Sequence, residues 1–286
     1  MAAYYKSNHW HFNISKIATE GARNHGLLNL SPRDFFNTTL SFPQNKNEQK
    51  NIASLINYLE KTIELHQRKL ENLKLLKLGL IQNLFPANGK LRPMINITNN
   101  VENWQQLKLF DVLEIPIKER LENPALNKLI TVGLNLTGIR VGSARETLDI
   151  GATTYYVRRK GQLIYGKQNF FNGSMAIIDD KYDGYATSID VPALNINNNK
   201  VDSKFLYYYI SRPCYYKRTE AQAIGTGSKR IHEKTLLSFE IYLPPLATQK
   251  KIAKLINNIE KYIAKQNVLL NNYINIKNKY LQLLFI

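Results

Sequence analysis

The sequence predicts an α+β protein: one mixed α/β globular domain and two long helices forming an antiparallel coiled coil. Three observations carry that class. Residues 49–85 recur as residues 249–285, at a constant offset of 200 and without a gap. Both copies place apolar residues at alternating spacings of three and four, the period of a helix with a buried seam. Between the copies the pattern changes to short β-like runs separated by Gly and Asn.

Residues 1–42 come first and are too short for a domain of their own. Gly21-Ala22-Arg23, then Leu27, Phe36 and Phe42-Pro43, parallels Gly227-Ser228-Lys229-Arg230, then Leu236, Phe239 and Leu243-Pro244. The expectation is that 1–42 is the C-terminal remnant of a first copy of the middle domain. Phe12, Ile14, Leu27, Leu28 and Phe35 would then need cover, and a second copy of the chain could supply it.

The long helices are expected at 46–85 and 247–286, and their repeat shares 16 of 37 positions. In the second, Ile252, Leu255, Ile259, Tyr262, Gln266, Leu269, Tyr273, Ile276, Tyr280 and Leu283 form an a/d seam. In the first, Ile52, Leu55, Leu59, Leu73, Leu76 and Leu80 do so, and Ile56, Ile63, Leu70, Ile256, Ile263 and Leu270 add an e-position flank. At 1.5 Å per residue each helix is roughly 55 Å long, so it needs a helical partner. His66 and Gln266 interrupt the seam at equivalent places. Packed antiparallel, they meet in one layer, either fixing the register or forming a loosened, hydrated layer.

The middle domain is expected at 88–243. Phe85-Pro86 and Asn88-Gly89 stop the first helix. Strand-like runs follow at 128–134, 153–158, 162–165, 175–178, 189–194 and 239–243, with short helices at 109–113 and 204–210.

Composition excludes several classes. Hydrophobic content of 44% rules out a disordered polybasic tail. No apolar run has membrane-span or signal-peptide length, so no membrane contact and a cytoplasmic location are expected. The one cysteine, Cys214, excludes a disulfide framework within the chain and reads as a buried bystander. Formal net charge is +17, spread as +2 over 1–44, +3 over 45–85, +6 over 86–248 and +6 over 249–286. That favours a polyanion such as nucleic acid, against the plain alternative of a solvated basic surface.

Catalytic patterns are missing. There is no Asn/Asp-Pro-Pro-aromatic tetrapeptide of adenine N6 methylation, Asn123-Pro124-Ala125 being the nearest, and no phosphate loop of an NTPase. Asp179-Asp180-Lys181 reads as a turn, and the five histidines show no metal spacing beyond His9/His11. What the domain does hold is basic residues mixed with amides and aromatics. One cluster is Arg158, Arg159 and Lys160 with Lys167, Gln168 and Asn169. A second is Gly225-Thr226-Gly227-Ser228-Lys229-Arg230, and a third holds Arg140 and Arg145. Arg and Lys suit phosphates or guanine edges, and Gln and Asn suit adenine. Tyr155 and Tyr165 read as half core.

The whole organisation resembles the specificity subunit of type I restriction–modification systems. The resemblance rests on Leu243-Pro244-Pro245-Leu246-Ala247-Thr248-Gln249-Lys250-Lys251-Ile252-Ala253 opening the second helix, and on its degenerate copy from Phe42-Pro43 through Gln49-Lys50-Asn51-Ile52-Ala53. Trp104-Gln105-Gln106-Leu107-Lys108-Leu109 opens the middle domain, and Ala223 to Arg230 lies near its end. The resemblance implies that 88–243 is a target recognition domain for half of a split double-stranded DNA site. It implies a non-catalytic subunit partnered by modification (methyltransferase) subunits and a restriction subunit. S-adenosylmethionine would sit on the methyltransferase, with no cofactor bound here directly. The first recognition domain is nearly missing from this pattern, which points to a half-subunit that pairs with a second copy. The alternatives are a coiled-coil interaction scaffold or an inactive recombination fragment.

Overall fold

A computed structural model describes residues 2–7, 9–15, 17–20, 28–40, 42–87, 89–98, 103–122, 125–142, 153–225 and 228–285. Arg145, Thr226, Gly227, Asn123, Pro124, the Gly21-Ala22-Arg23 stretch and Leu27, and the side chains of His9, Phe12 and Leu28, lie outside the described residues.

In chain order the first elements are α1 (Ala2–Tyr5), α2 (His9–Ser15), β1 (Thr19–Glu20), β2 (Leu28–Asn29), α3 (Pro32–Phe36) and α4 (Lys46–Asn83). Then come β3 (Gln105–Lys108), β4 (Leu113–Glu114), β5 (Arg120–Leu121), β6 (Ile130–Val132) and β7 (Ile139–Val141). β8 (Tyr155–Val157), β9 (Leu163–Tyr165), β10 (Met175–Ile177), β11 (Ala186–Ser188) and β12 (Ala193–Ile196) follow. The chain ends with α5 (Ser203–Ile210), α6 (Pro213–Tyr216), α7 (Glu233–Leu237), β13 (Glu240–Leu243) and α8 (Leu246–Leu283). Two compact units result: Met1–Leu76 with Ile259–Ile286, and Lys77–Asn258, so each long helix contributes to both.

In the first unit, α4 and α8 run antiparallel. Ile52 and Ile56, near the start of α4, share a cluster with Leu281 and Phe285, near the end of α8. Ile63 and Leu70 share the next with Leu270. Gln266 is buried and contacts His66 Nδ1 through its amide nitrogen, and the His66 ring stacks on Tyr273 at 5.0 Å. The seam differs from the expected a/d line. It runs through the a and e positions, with Ile52, Ile56, Leu59, Ile63 and Leu70 buried on α4, while Tyr262, Ile276 and Leu283 at d stay exposed. The two lines share one period, so spacing alone does not choose between them. The residues do: Thr62 and Lys69 hold d in the first helix, whereas e is Ile or Leu at 56, 63 and 70 and at 256, 263 and 270. At the N-terminal side α3 begins at Ser31, whose hydroxyl accepts from the Asp34 N–H at 3.1 Å, with Pro32 opening the first turn.

Among the described residues the second unit holds four small antiparallel sheets, ordered β10-β9-β12-β4, β11-β8-β5, β13-β3 and β6-β7. Leu163, Ile164 and Tyr165 are all fully buried, so β9 is covered on both faces and shows no alternation. One core joins Leu163, Tyr165, Phe170, Phe205 and Ile241 to Phe85 and Trp104, and to Ile252 and Ile256 of α8. Each such side chain contributes about 1.5–3 kcal/mol when fully buried. The Asp202 side chain caps α5 by accepting from the Phe205 N–H at 2.9 Å, which points Phe205 into that core.

Several local expectations shift. The run expected at 189–194 is a turn closed by Val191 N–H donating to Ser188 O, and the strand begins later, at Ala193. The helix expected at 109–113 is a single 3-10 turn, Leu109–Asp111. Asp179 to Lys181 is a turn, with the Asp179 carboxylate accepting from the Lys181 N–H. Cys214 is exposed, not buried, because Tyr215 and Tyr216 take the inward positions of α6. No helix among the described residues is long and apolar enough to cross a membrane.

Candidate nucleic-acid interface

Three loops of the second unit meet. The first is the turn 166–173 between β9 and β10. The second is the loop 224–230, closed by Ile224 and Arg230 exchanging backbone hydrogen bonds at 3.0 and 2.9 Å. The third is the β6–β7 hairpin. Its tip donates from Asn135 N–H to Asn172 O and from Leu136 N–H to Gly173 O, both at 2.9 Å. Asn135 and Leu136 hold left-handed backbone, with φ of 53° and 59°. That costs a leucine about 1–2 kcal/mol and persists only where neighbours enforce it.

Gln168 joins the first two loops. With its amide oxygen facing them, it accepts from Arg230 Nη2 at 2.9 Å and from Ser228 Oγ at 3.2 Å. Arg230 also lies 3.8 Å from the Asp190 carboxylate. An amide, a hydroxyl and a guanidinium thus share one partly exposed network, the chemistry that reads base edges and phosphates. Gly225 makes the loop possible. Its φ is 126°, and a Cβ there would stand 2.6 Å from Ser228 O. Lys229 is exposed and pairs with Glu220 at 2.8 Å. Asn169 is half-buried and holds the turn, its side-chain oxygen accepting from Asn172 Nδ2 at 3.1 Å. Arg140 is exposed on β7 and donates to Thr137 Oγ1 at 3.4 Å.

Two residues read from sequence as surface cations are internal. Arg158 is 4% exposed, donating from Nε to Thr187 Oγ1 at 2.6 Å and from Nη2 to Val191 O at 3.1 Å. Burial lowers its guanidinium to about 10. Lys167 is 7% exposed, and its ammonium lies 3.2 Å from the Glu233 carboxylate. Its backbone ties both neighbours, donating to Asp190 O and accepting from Ile231 N–H. Burial alone would raise the Glu233 carboxyl. Its own N–H at the start of α7 and the Lys167 ammonium outweigh burial and hold it below the ordinary range. Arg158 and Lys167 therefore brace the loops from inside; a side chain enclosed this way does not reach a ligand.

Arg159 and Lys160 are exposed on the β8–β9 turn, away from this hydrogen-bond network. Arg159 pairs with Glu119 at 2.6 Å and Lys160 with Asp180 at 2.5 Å. Sequence reasoning missed Asp190 and Glu233. The available signal was an acid inside each otherwise basic or apolar stretch.

Comparison with known proteins bears on what this surface meets. Residues 101–276, more than half of the chain, match the family described as the type I restriction modification DNA specificity domain. The type I restriction enzyme MjaVIII specificity subunit of Methanocaldococcus jannaschii is 23% identical over 266 residues, covering 87% of this chain and 60% of its own length. The putative type I restriction enzyme MjaX specificity subunit of the same organism is 24% identical over 237 residues, covering 76% and 51%. The chain thus spans little more than half the length of these relatives. The crystal structure of a type I restriction–modification system S subunit from M. genitalium shares the fold with a TM-score of 0.57 at 15% identity, covering 99% of this chain and 71% of that one.

Proposed function

Because the chain belongs to the type I restriction modification DNA specificity domain family, we propose that it is a non-catalytic DNA sequence-recognition subunit acting in the cytoplasm. Residues 88–243 read one half of a split double-stranded site. Methyltransferase subunits, which hold S-adenosylmethionine, and a restriction subunit act where this chain directs them. A second copy of the chain is the proposed source of the second recognition domain.

The observation that carries this reading is the Gln168–Ser228–Arg230 network within the matched region. Lys229 and Arg230 take phosphates, while Gln168 and Ser228 take base edges. Arg140 and Asn169 lie on loops joined to the same cluster, and Arg159 and Lys160 form a separate cationic edge. Arg145 and Thr226, outside the described residues, remain proposed contacts. The test is a salt titration of DNA affinity. Lys229→Ala with Arg230→Ala should weaken binding to every sequence and reduce the slope against log salt by about 0.9 for each phosphate no longer neutralised. Gln168→Ala should instead relax preference at one base pair, by about 1–3 kcal/mol. Unchanged affinity in the double variant would overturn the assignment.

A second reading, a coiled-coil scaffold for another protein, draws on the exposed apolar stripe Tyr262, Ile276 and Leu283 of α8. Random-sequence competitor DNA separates the two. A scaffold gains no preference for any site.

A further inference from the structure

The two amides that the sequence offers to adenine have their oxygens engaged within the protein. Reading adenine takes both ends of an amide: the oxygen accepts from N6, and the nitrogen donates to N7. Around the Gln168 oxygen stand Arg230 Nη2 at 2.9 Å, Ser228 Oγ at 3.2 Å and Arg230 Nε at 3.3 Å. A guanidinium carries donors and no acceptor, so the amide can meet Arg230 only through its oxygen. Three donors around an oxygen with two lone pairs leave it nothing to offer a base. The Asn169 oxygen is engaged too, accepting from Asn172 Nδ2 at 3.1 Å.

The backbone holds this arrangement from both sides. Lys167 N–H donates to Asp190 O at 2.9 Å, and Ile231 N–H donates to Lys167 O at 2.8 Å. The residue before Gln168 is thereby tied to the residue after Arg230. The Lys167 ammonium is itself held by Glu233 at 3.2 Å. Arg230 lies between an acid and the amide, with Nη1 3.8 Å from the Asp190 carboxylate. Gln168 is half-buried, and with its oxygen turned to the 228–230 loop the end it has left for a ligand is the NH2 group.

We propose that Gln168 sets specificity as a donor alone, and that the base it selects is guanine. The major-groove edge of guanine presents two acceptors, N7 and O6, side by side. Adenine presents an acceptor beside a donor, and the amide has no free oxygen to meet that donor. Thymine presents one acceptor beside a methyl group, and cytosine presents a donor. The proposal rests on the reading of residues 88–243 as a DNA recognition domain and narrows it from a base edge to one base.

The test sequences the duplexes that the full chain retains from a pool of randomised sequence. Gln168→Ala marks the base pair concerned, as the position whose preference it relaxes. The parent chain should select guanine there. Replacing that guanine with 7-deazaguanine, which keeps O6 and puts carbon in place of N7, should weaken binding of the unaltered chain about fivefold or more. Gln168→Glu keeps an oxygen toward Arg230 and turns the outward donor into an acceptor. The selected base should then change from guanine to cytosine, whose N4 donates. Another base selected by the parent at that position, equal affinity for guanine and 7-deazaguanine, or no position relaxed by Gln168→Ala would overturn the proposal and leave DNA recognition standing. A pool retained without any sequence preference would overturn both.

Discussion

A guanidinium that donates to a threonine hydroxyl and a turn carbonyl inside the protein, as Arg158 does, works on the fold rather than on a ligand. Arg158→Met should destabilise the chain by about 1–3 kcal/mol, since it takes the donor from the buried Thr187 hydroxyl oxygen and leaves the Val191 carbonyl with the Thr187 hydroxyl alone. The salt slope of DNA binding should not change, whereas Lys229 and Arg230 should move the slope and leave stability alone. Denaturant melts and salt titrations of both variants check this. Glu233 adds a pH dependence. Its folded carboxyl sits below the ordinary value, so its contribution is fully present above the unfolded range and fades as pH falls through the folded value. Glu233→Gln should therefore lower stability at neutral pH and flatten the acid limb of a stability–pH curve. At this scale the sequence shows which residues are charged but not which are enclosed. Lys167 and Glu233 are 66 positions apart, and nothing local marks them as partners. Residues 228–230 could be read because glycine, hydroxyl and cations stand side by side.

The two long helices were legible and the short helices and strands were less so, for one reason. α4 and α8 run for 38 residues each, long enough for a period to establish itself. The strands of the second unit are two to four residues long, too short for alternation to register. β3, β4, β5, β7 and β11 therefore escape the sequence, and β9 is visible only as an apolar run. Even in the helices, period fixed the spacing but not the face. The polar layer was readable because His66 and Gln266 occupy one repeat position. Its energetics can be tested. Gln266→Leu alone should cost about 1–3 kcal/mol by leaving His66 Nδ1 without its buried partner. The double change His66→Leu with Gln266→Leu should recover most of that loss, giving a coupling of about 0.5–3 kcal/mol in a double-mutant cycle of thermal melts. If the pair sets register, the double variant should also lose cross-linking between cysteines placed at 63 and 270, which are neighbours in the native register.

For the molecule as a whole, the constant-offset repeat was the most informative feature of the sequence, because it needs no local propensity to be seen. It gave the long helices at once and hinted at the matching N-terminal elements. The extent of that match, down to the Gln49 and Gln249 caps, needed coordinates, because residues 2–43 and 209–244 share contacts more than letters. Pairing of two copies predicts a mass near twice 33.0 kDa by light scattering, rising with concentration. The exposed aromatic side chains of Phe36 and Phe42 have a consequence of another kind, in the economy of the cell. A partner that binds only the folded chain stabilises it by RT ln(1 + [L]/Kd), about 2.7 kcal/mol at a hundredfold excess over Kd. Without that partner, exposed Phe36 and Phe42 invite chaperones and proteases. The amount of this protein should then be set less by its own synthesis than by its partner's supply, with surplus copies cleared as orphans.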